Sequence, residues 1–354
     1  MTDWTSSMVH EFEYYEVDPT SWMDKRRLPM ILSCSITRDI EKETLGSASF
    51  ESHERFNETY IRTYFCPTQD GIRDKIPLGT HLVQTPGKKW NGMVNSYSLS
   101  AYTPLLELKD NKPPVGYTVR KNNNIMDTVS QLIVDNSRLP LVPTKDSTVL
   151  EYDYSASGQD TWLSFISGLM AKANHSFDLD ELGIIYFQKK MEIAALQPRW
   201  TYDDGNSSII YPDISFEEDY YGVPNVCEVT YTNDGVNMSC TVTNDLKDSP
   251  ISTVTRGRIV FHREENPDFG GTPTEPQLQA YTENLLQDLS TINSVLTYSH
   301  GYTPVRLYDG VRLDHKRADI RGAKAQVTSQ QLDCTVGLKV SETAKFTNRL
   351  WEVS

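Results

Sequence analysis

At 354 residues, with 38% hydrophobic and 23% charged side chains, the chain is too long for one ordinary core and has the balance of a globular protein of two to four domains. Its net charge of −14 argues against sequence-specific binding to a phosphate backbone, and no apolar run approaches the roughly 20 residues of a membrane span. The opening MTDWTSSMVHEFEYYEVDP has neither a basic start nor an apolar core, so no signal peptide is expected.

Residues 1–28 read as an aromatic and acidic arm, with Trp4, Phe12, Tyr14, Tyr15 and Trp22 among Glu11, Glu13 and Glu16. Such an arm either pads the first domain or reaches a neighbouring subunit. Residues 29–112 read as strands: MILSCSITRDI, LGSASFES, TYIRTYFC and NGMVNSYSLSAYTPLLELKD, punctuated closely by Pro, Gly and Asn. That spacing predicts a small antiparallel barrel or sandwich. NKPPVG at 111–116 is a stiff boundary.

The character changes over 113–212, which reads as an α+β middle region of one or two small units. In NIMDTVSQLIVDNS, Ile125, Val129, Leu132 and Ile133 form a helical stripe, with Asn124 as N-cap. In GQDTWLSFISGLMAKANHSF, Trp162, Phe165, Ile166, Leu169 and Ala173 form another, started by Asp160 or Thr161. A strand follows in LGIIYFQKK.

Residues 213–354 return to strands. In VCEVTYTNDGVNMSCTV a two-residue Asp234-Gly235 turn pairs Tyr231 with Met238, Val229 with Cys240 and Cys227 with Val242, making one face apolar. A helix at 275–291 is signalled by the Thr274/Gln277 capping box and Pro276 in its first turn, with Leu278, Tyr281, Leu285, Leu289 and Ile292 as its stripe. In YTPVRLYDGVRLDH a three-residue loop, Tyr308-Asp309-Gly310, would pair Leu307 with Val311 and Val305 with Leu313, putting Gly310 in the left-handed region. Arg306 and Arg312 would then face each other on the outer side, where either solvent screens them or a neighbour's acidic surface completes them. Leu332, Cys334, Val336, Leu338 and Val340 share one parity and predict a single long half-buried strand.

Signatures of chemistry are sparse. No Walker loop, GxGxxG, HExxH, GxSxG or zinc-type spacing occurs, and the seven histidines are dispersed. DLDELG at 178–183 begins like a calcium loop but lacks its third acidic position, its glycine and its closing glutamate, so a polar turn is expected. Glu265 and Asp268 in ENPDFGG read as a solvated loop rather than a catalytic pair. YTVRKNNNIMDTVSQLI has the strand–turn–helix outline of a LysM-like sugar-binding unit, with Asn122-Asn123 where such motifs usually carry Gly-Asp. Cys34, Cys66, Cys227, Cys240 and Cys334 are scattered, odd in number and without CxxC, and read as reduced core residues of a protein folded in a cytoplasm. No catalytic, cofactor-binding or metal residue is expected.

Three segments, with the order of the parts, resemble the phage tail hub family of contractile-tailed and long-tailed phages and prophages: GVPNVCEVTYTNDG; LQAYTENLLQDLSTI followed by TYSHGYTPVRLYDGVRLDH; and TWLSFISGLMAKANHSFDLDELGIIYF. The resemblance covers about residues 29–354 and implies an α+β, β-dominated fold, with two tail-tube-like β-barrels (29–112 and 213–354) flanking the small α+β middle region. It further implies a homotrimer whose six barrels form a pseudo-sixfold ring, with a tail tube or distal tail protein above and a tip, spike or fibre protein below. Genomic DNA would pass through an acidic lumen without specific binding, in a virion tail tip assembled in the host cytoplasm. No enzymatic role is implied. The alternatives are a tail-associated peptidoglycan hydrolase and a cell-wall or carbohydrate-binding tail protein.

Overall fold

The computed structural model describes residues 2–90, 92–233, 235–269 and 271–351. The chain is β-dominated and divides into two compact units, Met1–Ile214 with Thr297–Ala344, and Ser215–Leu296 with Lys345–Ser354.

Besides the two-residue strand Ile72–Arg73, the first unit begins with seven strands: β1 Val9–Val17, β2 Asp24–Arg27, β3 Ile31–Asp39, β4 Gly46–Ser52, β5 Tyr60–Gln69, β6 Ile76–Trp90 and β7 Asn95–Tyr102. They pair antiparallel in the order β3-β4-β7-β6-β5-β1-β2. Ile36, Phe50, Ile61, Phe65, Leu78 and Leu99 are almost fully buried on the core face. The alternation in the sequence produces this, because one face of each strand is apolar. The arm of residues 1–28 supplies β1 and β2. Phe12 stacks on Phe65 with ring centroids 5.6 Å apart, and Tyr14 and Val17 are buried, so these residues pad the sheet.

The seven strands do not close into a barrel. The second edge of β3 is taken by the strand Ile320–Cys334, from Asp39↔Ser329 to Cys34↔Cys334. An edge already hydrogen-bonded cannot also receive β1, so the sheet extends instead of closing.

Two helices of the middle region pack around Val129, Ile133, Phe165, Ile166 and Leu169. Ile125–Asn136 starts at Asn124, whose Oδ1 accepts the Asp127 N–H at 2.9 Å. Trp162–Lys172 starts at Thr161, in a capping box with Ser164. The hairpin His175–Leu179 / Ile185–Lys189 follows.

The C-terminal strands of this unit depart from expectation twice. The hairpin pairing Val305 with Leu313 does not form. Gly310–His315 pairs antiparallel with Ile320–Cys334 and parallel with Pro198–Asp203. Pro304 cannot donate to a ladder, and the Asp309 carboxylate accepts the Arg306 N–H at 2.8 Å, fixing 306–309 as a turn. Tyr308, not Gly310, takes the left-handed conformation, with φ of 67°. Gly310 serves a different need, since a Cβ there would stand 2.9 Å from the Gln197 carbonyl oxygen. Val305, Leu307, Val311 and Leu313 are nonetheless all buried, as the parity argument required. The second departure is the single strand expected over 332–340. The chain reverses after Cys334 through a turn in which Gly337 has φ of 98° and Val336 is 96% exposed, and a new strand, Lys339–Arg349, begins.

In the second unit, Val226–Asn233 and Val236–Thr243 pair with Cys227↔Val242, Val229↔Cys240 and Tyr231↔Met238, the register that the apolar face demanded. Asp234 of the expected turn lies outside the described residues. Phe261–Glu265 adds a parallel strand. The helix Glu275–Leu289 carries the Thr274/Gln277 box and Pro276 in its first turn. Its buried line is Leu278, Thr282 and Leu286, with Tyr281 and Leu285 half-buried. The expected stripe thus lies slightly rotated, and Ile292 falls outside the helix, in the strand Thr291–Gly301. The Thr282 hydroxyl is satisfied by the Leu278 carbonyl at 2.8 Å.

Candidate functional site

The densest polar constellation surrounds the acidic turn at 178–183, within the first unit. The turn links the strands His175–Leu179 and Ile185–Lys189, and Asp180 Oδ1 accepts the Ile184 N–H at 2.7 Å. Side chains distant in sequence donate to the main-chain carbonyls of this segment. Tyr308 Oη donates to the Phe177 carbonyl at 3.1 Å and Arg306 Nη2 to Leu179 at 2.6 Å. Thr80 Oγ1 donates to Glu181 at 3.2 Å, while Arg62 Nη2 and Trp22 Nε1 donate to Leu182 at 3.0 and 2.7 Å. Arg62 is itself fixed by Asp24 at 2.8 Å. Residues from the turn before β2, from β5, from β6 and from the 306–309 turn thus grip one hairpin tip.

Charges follow the same grip. Arg306 Nε lies 3.0 Å from Glu181 and its Nη2 3.4 Å from Asp178, and Arg38 lies 3.4 Å from Glu181. Burial pushes the Asp178 carboxyl up to about 6, against the pull of Arg306 and with the help of Glu181. Burial likewise raises Asp180 and Asp309. His81 is held neutral, pushed down to about 3 by burial and by Arg38, and its Nδ1 has no partner among the described residues. The cavity beside these groups is about 40 Å³, a size for water rather than for a substrate. The arrangement fastens the middle region; it presents no nucleophile and no open cleft.

A second polar cluster is fully enclosed in the same unit. Glu342 accepts from Tyr298 Oη at 2.6 Å and Gln330 Nε2 at 2.5 Å, and lies 3.3 Å from His300 Nε2. Tyr202 Oη contacts His300 Nε2 at 3.0 Å and Thr303 Oγ1 at 2.8 Å. Burial favours the protonated Glu342, but the His300 charge and the hydrogen bonds from His300, Tyr298 and Gln330 outweigh it and hold the carboxyl below its ordinary value.

The two arginines singled out in the sequence are not brought together. Arg306 turns inward into the grip, and Arg312 is exposed on Gly310–His315, opposite Lys324 and Thr201. The facing placement needed the hairpin that does not form. DLDELG is a polar turn, and Glu265 and Asp268 are exposed. Among the described residues no group of three or more His, Cys, Asp or Glu is placed to hold a metal ion. No helix among them is long and apolar enough to cross a membrane. The grip went unforeseen because its acceptors are main-chain carbonyls, which leave no mark in a sequence. A buried arginine such as Arg62 is the one signal that an alternating strand pattern could have flagged.

No family model and no curated protein matches the chain. Solved structures do. A tail protein from Neisseria meningitidis MC58 superposes with a TM-score of 0.62 at 11% identity, covering 95% of this chain and 96% of its own. The prophage MuSo2 43 kDa tail protein from Shewanella oneidensis gives 0.60 at 11% identity, covering 96% and 98%. A chain of the Francisella PdpA-VgrG complex gives 0.55 at 8% identity, covering 96% of this chain but only 58% of its own. The chain shares the fold of these tail proteins.

Proposed function

We propose that the protein is a non-enzymatic structural hub of a phage tail tip. In this reading three copies form a pseudo-sixfold ring that continues the tail tube, meets a threefold tip protein below, and lines the channel through which DNA leaves. The observation that carries it is the end-to-end match to two tail proteins, one of them from a prophage, each covered over nearly its whole length. The middle region, held by the grip on 178–183, faces the tip. The net charge of −14 suits a lumen that repels DNA. Arg306 is engaged within its own chain, so Arg312 is the cation offered to a neighbouring subunit. A closed C3 ring needs heterologous contacts well above about 1,000 Å².

Light scattering and negative-stain imaging of the full chain, alone and with tail tubes, test the reading. A three-lobed ring with a central hole is expected, weakened by Arg312→Glu. A chain that stays monomeric in both conditions refutes it.

A further inference from the structure

Cys34 and Cys334 are register partners across the antiparallel pair of β3 and Ile320–Cys334, although 300 positions separate them. Directly opposed residues in such a ladder have Cα atoms about 4.5–5.5 Å apart, inside the roughly 4.4–6.8 Å that a disulfide spans. Both thiols are free and 3% exposed. Cys334 is a hydrogen-bonding neighbour of Cys34, and the Thr63 hydroxyl stands 3.8 Å from the Cys34 sulfur. The other cysteines lack this placement. Cys227 faces Val242 and Cys240 faces Val229, which makes those two a diagonal pair about 7–8 Å apart. Cys66 faces Glu11.

A groove of about 400 Å³, lined by Phe12, Tyr14, Ile31, Leu32, Cys334 and Val336, runs along the gap where β1 and β3 fail to join. It brings a small reagent to Cys334 without unfolding the sheet.

We propose that this pair is a built-in modification site, forming an intramolecular cross-strand disulfide when the folded chain meets a small-molecule disulfide. The Cys334 thiolate, at the groove, attacks one sulfur of the reagent RSSR, forming a mixed disulfide and expelling RS⁻. The Cys34 thiolate then attacks the Cys334 sulfur and expels the second RS⁻. Two electrons pass from the cysteine pair to RSSR, and the two thiol protons end on two RSH. Burial raises the Cys34 thiol, so the second step is the slow one. The product joins an N-terminal strand to a C-terminal one and fixes the pairing that keeps the sheet open.

The test uses the folded, fully reduced chain and oxidised glutathione, followed by alkylation, thiol counting in denaturant and peptide mapping without reductant. The count should fall from five to three, with one crosslinked peptide joining Cys34 to Cys334. The melting temperature should rise by roughly 5–10 °C and return with dithiothreitol. In Cys334→Ala, or in Cys34→Ser should the first variant fail to fold, all four remaining thiols should persist. Five free thiols after oxidation, a stable glutathione adduct on Cys334 without the crosslink, a Cys227–Cys240 link, or crosslinks between chains would each overturn the proposal.

Discussion

Replacing Asp178 by Asn should stabilise the protein at pH 8, although it removes one partner of an ion pair. The Asp178–Arg306 contact is long, at 3.4 Å, and the side chain is only 16% exposed with Glu181 nearby. Burial therefore wins, and the folded-state value of about 6 lies above the ordinary 3.8. A carboxyl shifted upward contributes stability that is fully present below about 3.8 and is lost as pH rises through about 6. The shift corresponds to about 3 kcal/mol, and because Asn mimics the protonated group, that is the largest gain the substitution can give. Urea unfolding at pH 8 and at pH 4, followed by tryptophan fluorescence, reads it out. The variant's transition should move up at pH 8 by 1–3 kcal/mol, on the order of the shift above, and coincide with the parent at pH 4. A variant less stable at pH 8, or a gap that does not change with pH, would show that the ion pair outweighs desolvation and that the reasoning is wrong.

Removing the acceptor in the enclosed cluster should have the opposite sign. Glu342→Leu leaves Tyr298, Gln330 and His300 without their common partner, a loss of about 3–5 kcal/mol in the same denaturation experiment; a loss under about 1 kcal/mol would mean that the cluster rearranges. Asn124→Ala should cost about 1–2 kcal/mol, because Asn124 both caps the helix through Asp127 N–H and donates to the Asp146 carbonyl at 2.6 Å; amide exchange at Asp127 should accelerate, and unchanged protection there would count against the cap.

Local signals proved readable where local chemistry decides the structure. The 226–243 hairpin has one register that makes a face apolar, and that register is found. Asn124, Thr161 and Thr274 start their helices because a capping side chain acts within three residues of itself. The two failures have different causes: the first turned on a partner far away in the chain, the second on a local turn. Val305 and Leu307 are buried as expected, but Gly310–His315 found Pro198–Asp203 and Ile320–Cys334 instead of its sequence neighbour. The parity of 332–340 also misled. Leu332, Cys334, Leu338 and Val340 are indeed buried, yet the intervening turn keeps their phase while reversing the chain, and Gly337 was the clue. Of the polar clusters, the charge pattern points Arg306 outward, whereas it turns inward onto Glu181 and Asp178. The Tyr298–His300–Glu342 set is not legible in the sequence, because Glu342 reaches Tyr298 and His300 from a different strand.

The pairing of β3 with Ile320–Cys334 also sets a clock on biosynthesis. At 5–20 residues per second, roughly 15–60 s pass between the emergence of the first strand from the ribosome and that of its partner. Throughout that wait β3 presents a bare edge beside Cys34 and Ile36, open to any other nascent chain of the same kind. The second unit waits too, since Trp351 joins Cys227, Val229, Leu278 and Leu286 in its core. Neither unit can finish folding before these late residues have emerged, so yield in the cell should depend on how crowded the polysome is and on the chaperones that shield that edge.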